Sequence, residues 1–433
     1  MMSSPTSHSA RALPASYHKR SHCAFCESRD LVSIMDFGDV ALAGGFLKQP
    51  QFASEEKFPM ELYFCQQCSM VQLLDIVDPA VLFKNYFYFS SAISSLREHF
   101  GDYATECVSR FLDPEHATVV EIGCNDGILL KPLANQGVHT VIGVDPATNI
   151  LETINDDRIT LVNDFFGSRV AAQIRDSHGK ADMIVANNVY AHIPDIRDVT
   201  QGVKDLLKDD GVFVFEVHYL GKILGGLQYD MIYHEHLYYY SLIALINHFK
   251  RFDMVVFDVK PIPIHAGSMR YHVCHAKSRH AKQISSRVSS LLEQERKAGY
   301  DKVETYVGFA QTINQRRDEL MSLLSSLRRQ GKRVVGYGAS GRANTIIQYC
   351  GITHDHMEYM IDDAPAKWGY STPGSHFLIQ PNDKLASDQP DYMLVFAWGY
   401  FNEIAAKCHG FLKAGGQMIT PLPDIRVTYR PAV

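Results

Sequence analysis

The sequence TVVEIGCNDG occupies residues 118–127 and joins a short apolar run to a glycine-containing turn. A run of this kind that leads into a helical stretch is typical of the first strand and turn of a doubly wound α/β fold. Further apolar runs, separated by helical segments, follow at 140–144, 183–186 and 212–216. Continuous apolar strands of this type predict a parallel sheet that helices cover on both faces. We therefore predict a Rossmann-like α/β domain over residues 86–280.

The turn after the first predicted strand is the expected site of a nucleotide-containing cofactor. Asp145 ends the second strand, where a carboxylate can accept hydrogen bonds from both hydroxyls of a ribose. NAD and S-adenosylmethionine both satisfy this rule. The dinucleotide fingerprint GxGxxG, however, needs glycines where this chain has Asn125 and Ile128. An acidic strand end at Glu121 also suits a sulfonium or amino group better than a pyrophosphate. The sequence therefore predicts S-adenosylmethionine as the cofactor.

Side chains that follow the later strands extend this predicted site. They supply a carboxylate, an aromatic face for adenine, and two amides at the carboxyl edge of the sheet, although Asn and Asp are also common in turns because they bond their own backbone. The predicted cofactor-binding residues are Glu121, Gly123, Asn125, Asp126, Gly127, Asp145, Asp164, Phe165, Asn187 and Asn188.

Two CxxC pairs, Cys23 with Cys26 and Cys65 with Cys68, stand near the start of the chain. Four thiolates on two tight turns suit a closed tetrahedral zinc site, which shapes a fold and leaves no open position for catalysis. A redox CxxC would leave the second pair unexplained. A nucleic-acid-binding zinc ribbon is disfavoured because Lys and Arg do not cluster there. We predict a disordered tail over 1–20 and a zinc-binding domain over 21–85.

Composition excludes several classes of protein. The 433 residues are 46% apolar and 21% charged, with a net charge of −6, so the chain has the composition of a globular protein and no basic field that would attract nucleic acid or a membrane surface. No apolar run approaches the roughly 18 residues that a membrane span needs. Nine cysteines, an odd number in a long chain, argue against a disulfide scaffold and favour the reducing cytoplasm.

The second half of the chain changes character twice. Residues 281–330 have helical spacing with abundant charge, which predicts long helices that link two domains. A second Rossmann-like α/β domain is predicted over 331–433. Its segment GYGASGRANT at 336–345 follows a strand and opens a helix, where small residues and backbone N–H groups suit a phosphate. An independent NAD site is the alternative interpretation.

The densest cluster of acidic, basic and phenolic side chains is DMIYHEHLYYYS at 230–241. The motif HEH lacks the second histidine four residues after the first, so it is not a zincin site, and the tyrosines beside it favour proton-transfer chemistry. A different metal site and a buried polar network that ties loops together are the alternatives.

These motifs together resemble a known family. The two CxxC pairs, EIGCNDG, NVYAHIPD, YHEH, HAGSMR at 265–270 and GYGASGRANT occur in the order found in the sugar-nucleotide C-methyltransferases. The resemblance covers nearly all of the chain after residue 20, and it is strongest to the TDP-4-keto-deoxysugar C-3′-methyltransferases.

The resemblance implies a zinc-binding N-terminal domain, a central methyltransferase domain and a C-terminal domain that helps to hold the sugar nucleotide. The implied reaction removes the proton beside a 4-keto group and methylates the enolate. His236 matches the base, Tyr233 a donor to the enolate oxygen, and Glu235 a carboxylate that orients the imidazole. His192 and Tyr88 match positions near the hexose and the cofactor.

In the C-terminal domain the resemblance implies that the sugar nucleotide contacts a further set of residues. These are Ser340, Arg342, Asn344, Lys367 and Tyr400. The family usually has Lys-Gly where this chain has Arg342-Ala343, and HAGSMR departs from a more usual glycine-glycine form. The expected partner is a small nucleotide-diphospho-ketosugar, with neither nucleic acid nor membrane, and the expected state is a monomer or small homo-oligomer. An NAD-dependent sugar-nucleotide oxidoreductase or epimerase and a zinc-bearing nucleic-acid methyltransferase are the competing hypotheses.

Overall fold

The computed structural model describes residues 16–83, 89–264 and 266–428. The N-terminal part contains five strands and a short helix. They are β1 (Tyr17–Lys19), β2 (Leu31–Ala41), β3 (Lys57–Cys65), β4 (Val71–Leu73), β5 (Asp75–Val77) and α1 (Pro79–Phe83). Strands β2, β3 and β4 form an antiparallel sheet, and β1 pairs with β5. The predicted disordered tail over 1–20 therefore ends too late, because the Tyr17 hydroxyl donates to the buried Asp75 carboxylate (2.6 Å) and anchors β1.

The central part is built on eight strands and seven helices. The strands are β6 (Thr118–Ile122), β7 (Thr140–Val144), β8 (Ile159–Val162), β9 (Ala181–Asn187), β10 (Leu207–His218), β11 (Tyr238–Tyr239), β12 (Met254–Ile262) and β13 (Ser268–His275). The helices are α2 (Ser94–Phe111), α3 (Leu130–Asn135), α4 (Thr148–Leu151), α5 (Ser168–His178), α6 (Ile196–Leu206), α7 (Leu220–Gly225) and α8 (Leu242–Lys250).

Seven of these strands form one sheet in the order β12-β13-β10-β9-β6-β7-β8. The five strands β6 to β10 are parallel, as the apolar runs predict. The prediction of a wholly parallel sheet is wrong at one edge, where β13 pairs antiparallel with both β10 and β12. Sequence analysis also missed β8, whose four residues at the other edge are too few for a clear pattern.

Burial explains why the β6 sequence forms a central strand. All five of its residues are buried, and alternate side chains enter two different cores. Val119 packs towards α2 and α3, whereas Val120 and Ile122 face the core of α5 and α6. That second core is continuous with apolar side chains of the N-terminal and C-terminal parts, so one cluster connects the three parts. The C-terminal part also has a separate core.

The remaining chain forms the C-terminal part. Its elements are α9 (Ser286–Lys297), α10 (Val303–Arg329), β14 (Val334–Tyr337), α11 (Gly341–Cys350), β15 (Met360–Ile361), β16 (Ile379–Gln380), α12 (Lys384–Asp388), β17 (Tyr392–Val395), α13 (Phe401–Lys407), α14 (His409–Lys413), β18 (Gln417–Thr420) and β19 (Arg426–Thr428). Its sheet has the order β16-β15-β14-β17-β18-β19, parallel except for β19. The second α/β unit predicted from residue 331 is thus present.

The central and N-terminal parts also share a sheet. Strand β11, which directly follows the HEH motif, pairs with β4, so that Tyr238 lies opposite Gln72. We call residues 230–241 the reactive segment. This pairing fixes its end against the cysteine-bearing part of the chain.

Candidate active site

A cavity of about 340 Å³ opens at the carboxyl ends of the central parallel strands. This is the edge where ligands bind in open α/β sheets, and the volume lies at the lower end of the range for small-molecule sites. Twelve of the predicted cofactor-binding and catalytic residues line it. They are Glu121, Gly123, Asn125, Asp145, Asp164, Phe165, Asn187, Asn188, His192, Tyr233, Glu235 and His236. Tyr88 lies outside the described residues.

The turn after β6 is shaped for close contact with a ligand. Gly123 has a φ of +67°, and a Cβ atom added there would lie 2.7 Å from the Val189 side chain, so only glycine fits. The backbone N–H of Asn125 donates to Asp145 Oδ2 (3.0 Å), and the backbone N–H of Ala147 donates to Asp145 Oδ1 (2.9 Å). These bonds hold the carboxylate rigidly at the end of β7.

The two remaining residues of the predicted turn act behind the cavity wall. Asp126 is buried, and its Oδ2 accepts hydrogen bonds from the Ser91 amide (3.0 Å) and hydroxyl (2.6 Å). Gly127 has a φ of +76°, which allows the chain to turn towards α3. They therefore fix the turn against the segment before α2.

The acidic side chains of the cavity have no Lys or Arg counterpart among the described lining residues. These carboxylates are Glu121, Asp145, Asp164 and Glu235. Four buried oxygens at the turn and at the end of β9 lack a hydrogen-bond partner within the described chain. They are Glu121 Oε2, Asp126 Oδ1, Asn187 Oδ1 and Asn188 Oδ1. Such a wall fits the amino group, the ribose hydroxyls and the sulfonium charge of S-adenosylmethionine, and it would repel a pyrophosphate.

Burial raises the pKa of Glu121 well above its ordinary value, and the nearby Asp145 and Asp126 carboxylates raise it further. Burial likewise raises the pKa of Asp145. Both carboxylates would therefore gain from a cationic ligand, because a positive charge favours their ionised form.

At the outer end of the cavity Asp164 and Phe165 follow β8. Asp164 forms an ion pair with Arg169 (2.6 Å), which lowers the pKa of that carboxyl. The Phe165 ring is 40% exposed, so it presents an open aromatic face. This pair suits an adenine ring, which offers an exocyclic amine and a flat surface.

A cluster of imidazole and phenol rings forms the other side of the cavity. The His236 ring lies 4.1 Å from the Tyr233 ring and 5.0 Å from the His192 ring, centroid to centroid. His236 Nδ1 lies 2.8 Å from the Met231 carbonyl oxygen. Since a carbonyl can only accept, Nδ1 carries the proton and Nε2 is the basic nitrogen.

The neighbours of His236 are a backbone carbonyl, a second imidazole and Glu235. The Met231 carbonyl holds the imidazole at Nδ1, and the orienting role of the Glu235 carboxylate stays a prediction. Burial lowers the pKa of His192 well below its ordinary value, and the adjacent His236 lowers it further, so His192 is neutral. Glu235 Oε1 approaches the N-terminal part, 3.8 Å from the position of a Cβ at Gly44.

Two further histidines of the region differ in role. His234 is buried and its Nε2 lies 3.0 Å from the Pro59 carbonyl oxygen, so it ties the reactive segment to β3. His218, at the end of β10, lines the cavity 5.3 Å from the His236 ring. Sequence analysis missed His218 because a single histidine at the end of an apolar strand resembles a core residue. Its position at the carboxyl end of a predicted strand was the available signal.

The four cysteines form a compact cluster. The Cys23 and Cys68 sulfurs are 3.6 Å apart, those of Cys26 and Cys65 are 3.5 Å apart, and all four ligand atoms lie within 4.8 Å of one another. A tetrahedral zinc–thiolate site with bonds of about 2.3 Å requires sulfur–sulfur distances of about 3.8 Å. Crowding by its neighbours Cys23 and Cys65 raises the pKa of Cys68, so four thiolates need a cation. The geometry fits zinc.

The cysteine cluster connects to the reactive segment. Gln72 Nε2 donates to the Cys23 sulfur (3.0 Å), while its Oε1 accepts from the Ala24 amide (2.9 Å). Gln72 lies on β4, opposite Tyr238 of β11. The zinc site is therefore one strand pairing away from the end of the reactive segment.

Four of the five predicted substrate-binding residues make hydrogen bonds within the chain. Ser340 caps α11, where its Oγ accepts from the Ala343 amide (3.3 Å), and Asn344 donates to the Ala41 carbonyl (3.0 Å). Lys367 Nζ donates to the Ala339 carbonyl (2.7 Å). Tyr400 is 59% exposed and lines a second cavity, of about 210 Å³, at the carboxyl edge of the C-terminal sheet.

Arg342 is not among the described residues that line that second cavity. Its Nε donates to Asp230 Oδ2 (2.9 Å), so it bridges α11 to the start of the reactive segment.

Within the described part of the chain no helix is long and apolar enough to cross a membrane.

Comparisons with known proteins agree with this architecture. Three family models match in order: a zinc binding domain over residues 23–83, a methyltransferase domain over 96–259, and a C-methyltransferase C-terminal domain over 263–423. The C-methyltransferase NovU of Streptomyces niveus is 34% identical over 406 residues, which covers 94% of this chain and 96% of that protein.

Two further matches are shorter or more distant. A ubiquinone biosynthesis O-methyltransferase of Actinobacillus pleuropneumoniae is 34% identical over 107 residues, 22% of this chain and 44% of that protein. The crystal structure of a magnesium protoporphyrin IX methyltransferase from Synechocystis PCC 6803 with bound S-adenosylmethionine covers 41% of this chain and 79% of that one, at 14% identity and a TM-score of 0.32. The family models and the near full-length relative establish that this chain belongs to the C-methyltransferase family, as an S-adenosylmethionine-dependent enzyme with a zinc-binding N-terminal domain.

Proposed function

We propose that this enzyme methylates the carbon beside the ketone of a nucleotide-linked 4-keto-deoxyhexose, with C-3′ as the reacting carbon. A carbon atom must become nucleophilic before it can accept a methyl group. A C–H bond next to a ketone allows this, because loss of the proton gives an enolate. The resemblance to sugar-nucleotide C-methyltransferases supports the ketosugar as the molecule that carries this bond.

The observation that carries the proposal is the orientation of His236. With Nδ1–H donated to the Met231 carbonyl (2.8 Å), Nε2 is the proton acceptor in the same cavity as the cofactor-binding residues. Imidazole is a suitable base near neutral pH, and such a base typically contributes roughly 10²- to 10⁴-fold to rate. Proton removal and methylation are thereby assigned to one cavity.

The other cavity residues have complementary roles in the proposed reaction. The Tyr233 phenol donates to the oxygen on which negative charge develops, and the Glu235 carboxylate stabilises the imidazolium that forms on His236. His192 is neutral and can hydrogen-bond to the hexose. When bound, S-adenosylmethionine supplies the electrophilic methyl group that the enolate carbon accepts.

The proposed division of labour follows the three parts of the chain. Residues 21–85 hold zinc and shape the site, residues 86–280 bind S-adenosylmethionine and carry the base, and residues 331–433 bind the nucleoside diphosphate after the helices of 281–330. The N-terminus of α11 lies beside the reactive segment, since a Cβ at Gly341 would be 3.7 Å from the Tyr233 ring. A diphosphate near this helix start would bring its hexose towards His236.

The test is mass spectrometry of reactions that contain S-adenosylmethionine and a panel of TDP- and GDP-4-keto-6-deoxyhexoses. We expect one panel member to gain one methyl group. His236→Asn is the matched control, because the Asn side chain can still donate to the Met231 carbonyl but cannot act as the base. Methylation at the wild-type rate by this variant, or the absence of a methylated product from every sugar, would contradict the proposal.

A further inference from the structure

Asp230 is a buried carboxylate at the contact between the central and C-terminal parts of the chain. It has no exposed surface, and its Oδ2 accepts hydrogen bonds from Arg342 Nε (2.9 Å) and Trp398 Nε1 (2.9 Å), with Arg342 Nη2 also 2.8 Å away. The Arg342 guanidinium lies 5.0 Å from the Trp398 ring centre. Two residues of the C-terminal part therefore donate hydrogen bonds to one carboxylate of the reactive segment.

The backbone next to Asp230 holds the catalytic imidazole. Asp230 and Met231 belong to the same single helical turn, Tyr229–Met231, and the Met231 carbonyl accepts the Nδ1 proton of His236. Any shift of this turn moves the acceptor and rotates the imidazole.

Helix α11 holds the same turn at additional points. Thr345 Oγ1 donates to the Ile232 carbonyl (2.9 Å), and the Tyr229 hydroxyl lies 3.4 Å from the Cys350 sulfur. Together with Arg342, these contacts spread over the length of α11. Helix α11 and the segment 229–232 therefore move as a unit in the folded protein, since the contacts hold Tyr229, Asp230 and Ile232 separately.

We propose that the Asp230–Arg342 pair is a positioning device that sets the orientation of the catalytic base from the C-terminal part of the chain. This inference rests on the proposed function in one respect, that His236 is the base. Asp230 is not among the described residues that line the cavity, so it acts through the Met231 carbonyl and not on the substrate.

The energetics of buried pairs favour a role in orientation. Removing two charges from water costs several kcal/mol per ion, so apolar side chains stabilise a domain contact at least as well as an ion pair does. An ion pair adds direction, because the guanidinium fixes the position of the carboxylate and of the backbone that carries it. Misplacing a base by about 1 Å can reduce a rate roughly 100-fold.

The test uses the full-length enzyme with Asp230→Asn, which keeps the shape of the side chain and an acceptor for Trp398. A second variant, Asp230→Asn with Arg342→Gln, removes both charges. It allows the proposal to be tested even if the single variant does not fold. The matched control is Glu55→Gln. Glu55 makes another contact with the C-terminal part, through His376 Nε2 (2.8 Å) and the Gly374 amide (2.8 Å), but does not touch the reactive segment.

Three measurements separate positioning from simple attachment of the domains. Proton abstraction is followed as deuterium exchange into the ketosugar in D2O with S-adenosylhomocysteine bound, so that no methyl group is transferred. The Kd of S-adenosylmethionine is measured by calorimetry. The ¹⁵N spectrum of labelled histidine reports the His236 tautomer, with the His236→Asn spectrum as the assignment reference.

We expect both Asp230 variants to exchange deuterium about 10- to 100-fold more slowly, because a base misplaced by about 1 Å can lose roughly 100-fold in rate. In both variants the Kd of the cofactor should stay within about twofold of wild type, and in Asp230→Asn the KM of the sugar nucleotide should do so as well. In both, the His236 Nδ1 proton should exchange faster or the tautomers should mix. Glu55→Gln should leave all three measurements unchanged.

An unchanged exchange rate together with an unchanged His236 spectrum would overturn the inference. A parallel loss of cofactor affinity and exchange rate would also overturn it, because general loosening of the structure would explain both. If the wild-type enzyme exchanges deuterium into no ketosugar, the proposed function fails, and the His236 spectra of the variants still decide whether Asp230 orients the imidazole.

Discussion

Glu121 provides a direct test of how the cavity recognises its cofactor. It is almost fully buried, and its Oε2 has no hydrogen-bond partner within the described chain. Asn187 Nδ2 donates to Glu121 Oε1 (3.3 Å). Glu121→Gln preserves the shape and can keep this contact, but it removes the negative charge. A hydrogen bond to a charged group contributes about 1.5–3 kcal/mol, so the Kd of S-adenosylmethionine should increase roughly 10- to 150-fold.

The affinity for S-adenosylmethionine should also depend on pH, through the ionisation of Glu121. Burial raises the pKa of Glu121, so the carboxyl is neutral at low pH and ionises only as the pH rises through this raised value. Since the ionised form attracts a cation, the affinity of the wild-type enzyme for S-adenosylmethionine should increase with pH over that interval. The Glu121→Gln variant should lack this increase.

Isothermal titration calorimetry with S-adenosylmethionine and S-adenosylhomocysteine measures both effects. A loss confined to the first ligand would assign Glu121 to the sulfonium charge, and a loss for both would assign it to the shared amino group. Glu152→Gln, a change at an exposed carboxylate outside the cavity, is the control. If Glu121→Gln binds both ligands within about twofold of wild type, the proposed electrostatic recognition is refuted.

Three further predictions concern the base, the buried charges and the metal. His236→Asn should lower turnover roughly 10²- to 10⁴-fold with the Kd of S-adenosylmethionine unchanged; steady-state kinetics and calorimetry check this, and normal turnover would exclude His236 as the base. Arg270→Met should lower the free energy of unfolding by about 3–5 kcal/mol, because the fully buried Glu216 loses the guanidinium whose Nε lies 2.6 Å away. Urea denaturation measures this free energy, and a loss below about 1 kcal/mol would contradict the prediction. Cys65→Ser should release zinc and lower both Tm and turnover, because the metal cluster supports β4 and hence β11; metal analysis and calorimetry check this, and full activity without bound zinc would count against it.

Local chemistry explains which parts of the site could be predicted from the sequence. The turn after β6 depends on a glycine with positive φ and on a carboxylate about twenty residues later, and both are recognisable from residue type and spacing. The four cysteines are recognisable for the same reason. The parallel strands β6, β7, β9 and β10 follow from continuous apolar runs.

The parts that were missed depend on contacts between distant residues or on the backbone. Asp230 and Arg342 are 112 positions apart, and no pattern at either position indicates the other. The orientation of His236 relies on the Met231 carbonyl, a group that every residue possesses. Strands β1 and β11 have two or three residues each and form only because β5 and β4 offer edges for pairing.

The most direct test of the central claim follows one carbon atom through the reaction. The enzyme is supplied with ¹³C-methyl-labelled S-adenosylmethionine and a nucleotide-linked 4-keto-deoxyhexose that carries deuterium beside the ketone, and the product is examined by NMR. The proposed chemistry predicts that the ¹³C label is bonded to the carbon that has lost its deuterium. A ¹³C methyl group on oxygen, or on a carbon that retains its deuterium, would contradict it.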